Sequence, residues 1–168
     1  MLLIINTITT TNMKTITAII IAACCMSTFS LLAQSDNPDI AVTLNHVGVY
    51  VTDLKKSTSF YEEILSLKQI PEPFHDGKHT WFSIGKAGHL HLIEGGKKQY
   101  ERDRNDHLCF SVKDIDAFIA NLNNHKVEYT NWPGTAKEPT VRVDGVKQIY
   151  FKDPDGHLIE INNDTSVK

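Results

Sequence analysis

Three histidines and a glutamate sit where strand parity would aim them at one divalent cation. His46 opens the apolar run Asn45-His46-Val47-Gly48-Val49-Tyr50-Val51-Thr52-Asp53-Leu54, and the pattern returns 61 residues later as Asp106-His107-Leu108-Cys109-Phe110-Ser111-Val112-Lys113-Asp114-Ile115. If each run is a strand, side chains two apart share a face, so His46, Gly48 and Tyr50 look one way, as do His107, Cys109 and Ser111. In His89-Leu90-His91-Leu92-Ile93 the same rule groups His89, His91 and Ile93, and in His157 to Asn162 it groups Leu158, Glu160 and Asn162. The first and last strands of each copy can therefore each supply one inward ligand, His46 with His91 and His107 with Glu160. Three imidazoles and a carboxylate suit Zn, Ni, Mn or Fe(II), with positions left over for water or substrate.

The elements that must carry these residues repeat in the same order. Thr43 to Val51 alternates as a strand, and Asp53 is placed to cap a helix with Leu54, Tyr61, Ile64 and Leu65 on one face. Strands follow over 67–71, 79–84 and 89–93, the last two joined by the turn Gly85-Lys86-Ala87-Gly88. A charged connector, Tyr100 to Asn105, lacks either periodicity. The second copy then gives a strand from His107 to Val112, a helix capped by Asp114 with Ile115, Phe118, Ile119 and Leu122 on one face, and a short strand over 127–130. After a surface loop from Trp132 to Pro139 come strands over 146–151 and 157–162, joined by Asp153-Pro154-Asp155-Gly156. The expected fold is α+β, with two βαβββ modules over 41–96 and 105–163 forming a curved sheet around a metal-binding cleft. Tyr50, Trp81, Cys109, Gln148 and Tyr150 are the expected pocket lining, although Cys109 also suits a buried small hydrophobe. His75, His79, His125 and His157 read as non-ligands.

Composition restricts the function. The 168 residues are 41% hydrophobic and 22% charged, with a formal charge of −3. No basic cluster offers the face that phosphate neutralisation needs, which argues against nucleic acid as a partner. Residues 1–33 read as a targeting segment: Lys14 precedes an apolar stretch from Ile16 to Ala33, and polar Gln34-Ser35-Asp36-Asn37 follows. Cleavage near Ala33 would export the chain to the periplasm or medium and leave 34–40 as a linker. An uncleaved anchor and a lipidated Cys24, in Ile21-Ala22-Ala23-Cys24, are the alternatives, and only through them would the protein touch a membrane. After cleavage Cys109 is the sole cysteine, so no intrachain disulfide can brace the domain.

Leu44-Asn45-His46-Val47, Phe60-Tyr61-x-x-Ile64-Leu65, Asp106-His107 and the ending Gln148-Ile149-Tyr150-Phe151-x-Asp153-Pro154-Asp155-Gly156-His157-x-x-Glu160 resemble the vicinal oxygen chelate superfamily. That group includes glyoxalase I, fosfomycin thiol transferases, extradiol dioxygenases and bleomycin-resistance proteins. The resemblance spans residues 41–163 and implies paired βαβββ modules with a metal in the cleft. It carries the ligand role onto His46, His107 and Glu160, and onto His91, beside which His89 has the same parity and Glu94 the acidic side chain of glyoxalase I.

What the resemblance implies about activity is a metal-dependent lyase or isomerase of glyoxalase type, chelating vicinal oxygens of a small substrate, with Glu160 as catalytic acid/base. Departures from the glyoxalase I pattern are Tyr50 in place of an Arg and His91 in place of a second glutamate. Gly48 replaces the Thr of the fosfomycin transferases, whose C-terminal basic segment has no counterpart before this sequence stops. The alternatives are a bleomycin-resistance type of sequestering protein, an extradiol dioxygenase-like activity or a thiol transferase. A homodimer is expected, because open edges of short curved sheets are commonly covered by a partner.

Overall fold

A computed structural model describes residues 42–97 and 103–166; the expected targeting segment and linker lie outside them. Leu44–Lys168 forms one compact unit. Its elements are β1 (His46–Val51), α1 (Leu54–Glu63), β2 (Lys68–Ile70), β3 (His79–Ser83), β4 (His89–Glu94), β5 (His107–Ser111), α2 (Ile115–Asn124), β6 (Tyr129–Thr130), β7 (Thr140–Val141), β8 (Lys147–Lys152) and β9 (Leu158–Asn162). Among the described residues no helix is long and apolar enough to cross a membrane.

The two modules are wired alike. One sheet runs β1-β4-β3-β2, the other β5-β9-β8-β6, with β7 paired to β8. In each, the first and last strands are parallel neighbours, which puts His46 beside His89, Gly48 beside His91 and Cys109 beside Glu160. The helix starts match too. Asp53 accepts from Lys56 N at 2.9 Å and Asp114 from Ala117 N at 2.9 Å, each satisfying one orphan donor of a first helical turn.

Alternation places the side chains as expected. Val49 and Val51 of β1, Leu90 and Leu92 of β4, and Ile159 and Ile161 of β9 belong to one apolar core, which Leu108 and Phe110 of β5 flank. The histidines and Glu160 lie on the opposite faces of their sheets. Helix α1 serves both modules: Tyr61 stacks on Phe82 of β3 at 6.1 Å, and Phe60 meets Phe151 of β8 at 6.3 Å. Polar latches reinforce this contact. Asp155 accepts from Thr52 N, Thr52 Oγ1 and Ser57 Oγ, while Asp153 accepts from the Tyr61 hydroxyl and from His157 Nδ1.

One local expectation needs correction, and one short strand lies where none was expected. The strand expected over 127–130 begins only at Tyr129, because Lys126 adopts φ 56° and Val127 N donates back to Leu122 O, ending α2 with its own hydrogen bond. The loop after Trp132 gives way to the two-residue strand β7, which is too short for a period to reveal.

Candidate metal centre

The four expected ligands form two pairs. On the first sheet the His46 and His91 rings meet edge to face at 5.0 Å, and Trp81 lies 4.3 Å from His91. On the second, His107 Nε2 is 3.2 Å from Glu160 Oε2. The pairs do not converge within this chain. Among the described residues, the one set of three or more ligating side chains with atoms within 4.8 Å of one another is Glu72, Asp76 and His79. In that set Glu72 accepts from Phe74 N and His75 N, and Asp76 from Lys78 N and His79, so its carboxylates already brace a loop.

In the second pair each group is held by neighbours. His107 Nδ1 donates to Arg104 O at 2.7 Å, which turns Nε2 toward Glu160. Glu160 Oε2 accepts from the Tyr150 hydroxyl at 2.6 Å, and Oε1 accepts from Asn162 Nδ2 at 3.0 Å and from Cys109 Sγ at 3.3 Å. Burial alone would raise the Glu160 pKa, but the hydrogen bonds from Tyr150, Asn162 and Cys109 outweigh it and hold the carboxyl below its ordinary value. Burial, then the bond to Glu160, pushes the Tyr150 phenol well up, so it remains a proton donor. Glu160 is thus ionised within a set of neutral donors.

That arrangement fits a cation. An imidazole nitrogen and an ionised carboxylate oxygen face each other, an arrangement that a proton or a positive ion between them stabilises. Two atoms each about 2.1 Å from a shared ion stand roughly 3.0–3.4 Å apart, the range in which this contact falls.

The first pair is less fully held. His46 Nδ1 donates to Asn45 Oδ1 at 2.7 Å. His91 is buried and its Nδ1 has no hydrogen-bond partner. Desolvation, then the neighbouring His46 and His79, lowers its pKa, favouring the neutral, ligating form. Gly48 makes room for it: a Cβ there would stand 3.1 Å from His91 Nε2.

The expected pocket residues divide likewise. Trp81 is with His91, and Gln148 donates to the Tyr150 hydroxyl beside Glu160. Tyr50 is half exposed and lines a cavity of about 270 Å³ with Gly48, His107 and His157. Cys109 shares the open face but is not the buried hydrophobe that its residue type suggested. It is exposed and hydrogen-bonded to Glu160, and desolvation followed by that carboxylate pushes the thiol up to about 12.

Sequence reasoning passed over Asn162, whose parity was legible, and Arg104, whose role was not. Arg104 lies over Trp132 and Tyr150, 5.5 and 5.2 Å from their ring centres, and its own carbonyl orients His107.

Residues 43–161 match the model of the Glyoxalase/Bleomycin resistance protein/Dioxygenase superfamily. The metallothiol transferase FosB of Shouchella clausii is 31% identical over 126 residues, 73% of this chain and 80% of that one. Fosfomycin resistance protein FosX of Listeria innocua is 31% identical over 129 residues, 73% of this chain and 90% of that one. Among solved structures, a mutant FosX from Listeria monocytogenes, complexed with Mn(II) and 1S,2S-dihydroxypropylphosphonic acid, has 25% identity and a TM-score of 0.61, covering 76% of this chain and 95% of that chain.

Proposed function

We propose, for a chain that belongs to the Glyoxalase/Bleomycin resistance protein/Dioxygenase superfamily, a metal-dependent enzyme acting on a small substrate with vicinal oxygens. The observation that carries this reading is the contact of His107 Nε2 with Glu160 Oε2 at 3.2 Å, ringed by donors to the carboxylate. His107 and Glu160 are one half of the ligand set, and His46 with His91 the other. Because the halves do not meet within one chain, we infer that a homodimer unites them, the first sheet of one copy facing the second sheet of its partner. A divalent cation there would supply Lewis acidity toward both substrate oxygens.

The surrounding residues set the proton chemistry. Glu160, kept ionised, is the group able to accept a proton. Tyr150, kept protonated and accepting from Gln148, gives its one hydroxyl proton to Glu160 and so holds the carboxylate in place. Cys109 stays a thiol and is no nucleophile at neutral pH, so any sulfur nucleophile must arrive with a second substrate. The relative described as a metallothiol transferase supports transfer of a thiol from a second substrate as the reaction type, over the isomerisation that a second glutamate would serve.

The second reading is a protein that sequesters its ligand, favoured by the aromatic walls of Trp81, Trp132 and Tyr150. Metal analysis and light scattering test the first. Bound divalent metal in a dimer supports it, and a metal-free monomer that binds its ligand equally well with chelator present would replace it with the second. Export belongs to the proposal too, on the strength of Lys14 and the apolar stretch that follows. Mass spectrometry of the protein from its native cell should find a mature chain starting near Gln34 or a lipidated Cys24; a full-length product would refute export.

A further inference from the structure

Arg104 is joined to both ligands of the second pair, by different parts of itself. Its carbonyl accepts from His107 Nδ1 at 2.7 Å. Its guanidinium lies 5.2 Å from the centre of the Tyr150 ring, whose hydroxyl donates to Glu160 at 2.6 Å. The side chain is held from several sides: Trp132 is 5.5 Å away, Nη2 donates to Asn131 O at 2.9 Å and reaches Thr130 Oγ1 at 3.4 Å. Gly134, at φ 75°, brings its loop so near that a Cβ there would stand 3.3 Å from Nη1. The backbone around Arg104 is a turn, in which Asp103 Oδ1 accepts from Asn105 N at 2.8 Å and Asp103 O from Asp106 N at 3.0 Å. One cationic side chain thus pins this turn to β6, to β8 and to the loop between β6 and β7.

A brace needed for packing alone would not call for this residue. Arg104 Nε is buried without a hydrogen-bond partner, a cost that an apolar side chain of similar length would avoid. What the guanidinium supplies is a flat cation that lies against two rings while its fork still reaches a carbonyl, which an ammonium cannot do. We propose that Arg104 is a positioning residue of the metal centre: fastened by Trp132, Tyr150 and Asn131, it holds the carbonyl that orients the His107 ring and steadies the tyrosine that holds Glu160. This rests on the function proposed above. Arg104 acts through those two ligands, as the partners behind metal-binding imidazoles do elsewhere, and itself touches neither.

The test reads the His107 ring directly. In NMR spectra of the metal-free protein the His107 Nδ1 proton, assigned by its loss in His107→Gln, should exchange slowly with solvent. Arg104→Met should speed that exchange about tenfold, the fold-change that losing one firm hydrogen bond brings. It should also weaken Mn(II) binding, followed by electron paramagnetic resonance, about tenfold or more. Arg104→Lys, which keeps the charge but not the planar fork, should fall between Arg104→Met and the parent. Asp155→Asn, which loosens the fastening of α1 instead, should leave both readings at the parent's values, so that lost stability alone does not reproduce the effect. Equal exchange in Arg104→Met and its parent, or an equal acceleration in Asp155→Asn, would overturn the proposal. A parent that fails to bind Mn(II) while Arg104→Met still exchanges faster would refute the metal centre and leave the positioning standing. Circular dichroism melts confirm that each variant is folded; if Arg104→Met is not, exchange in Arg104→Lys as slow as in the parent overturns the proposal.

Discussion

His107 Nε2 stands 3.2 Å from Glu160 Oε2, so that with Nδ1 turned to Arg104 O and the carboxyl held ionised an imidazole nitrogen and an anionic oxygen oppose each other. A divalent cation relieves this opposition directly. Mn(II), Ni or Zn at a hundredfold excess over Kd should stabilise the fold by about 2.7 kcal/mol, seen as a rise in Tm that chelator reverses. Glu160→Gln should keep the fold, since the new amide can donate to Nε2, while turnover of the eventual substrate falls about 10²–10⁴-fold. A Tm indifferent to all three metals would remove the metal centre.

Gly48→Ala tests the first half of the ligand set. The new Cβ would press on His91 Nε2 from 3.1 Å while Trp81 stands close on the ring, so the imidazole has little room to retreat. The substitution should cost about 1 kcal/mol or more by overpacking and should weaken metal binding. In a His91→Ala background the stability cost should vanish. Equal costs in both backgrounds, read from denaturant midpoints, would show that His91 does not depend on Gly48.

Cys109 should be slow to alkylate despite its exposure, because desolvation and Glu160 hold its thiol near 12. Against an ordinary cysteine, the thiolate fraction near neutral pH is lower by about 10³. Iodoacetamide labelling of the Cys109 peptide, timed by mass spectrometry, should be correspondingly slow and should accelerate in Glu160→Gln. Labelling at the rate of a free thiol would contradict the contact.

The latch at Asp155 gives a pH dependence. Burial alone would raise its pKa, but the bonds from Thr52 and Ser57 prevail and lower it. A carboxyl with a depressed folded-state pKa contributes stability above its unfolded value of about 3.9, and this is lost as pH falls through the folded one. Wild type should therefore lose part of its margin over Asp155→Asn below about pH 4, while at pH 7 the substitution should cost about 1–3 kcal/mol. Parallel urea midpoints between pH 3 and 7 check this, and a constant difference across that range would exclude the latch.

Local rules reached most of the architecture because each is written into neighbouring residues. Alternation put His46, His91, His107 and Glu160 on the faces they occupy, and Asp53 and Asp114 marked both helix starts. What the rules could not reach depends on distance along the chain. Parity says which face a side chain takes, not whether two sheets present those faces to each other, so the convergence expected of four ligands became two pairs. Arg104 was illegible for another reason: it lies in a connector without periodicity, and its partners Trp132 and Tyr150 become neighbours only through β6 and β8. Cys109 had the right parity, but residue type alone could not foresee that its sulfur would bond to Glu160.

Asp155 meets Thr52 across 103 residues of sequence. A ribosome, or a secretion channel, delivers the N-terminal end of this compact unit long before the turn that fastens the start of α1. Until residue 155 emerges, Thr52, Ser57 and Tyr61 have no carboxylate to hold, and the first module waits half-fastened. The final hairpin thus acts as a clasp closed last: a chain truncated ahead of Asp153 would lose not only Glu160 but the fastening of a helix that begins a hundred residues earlier.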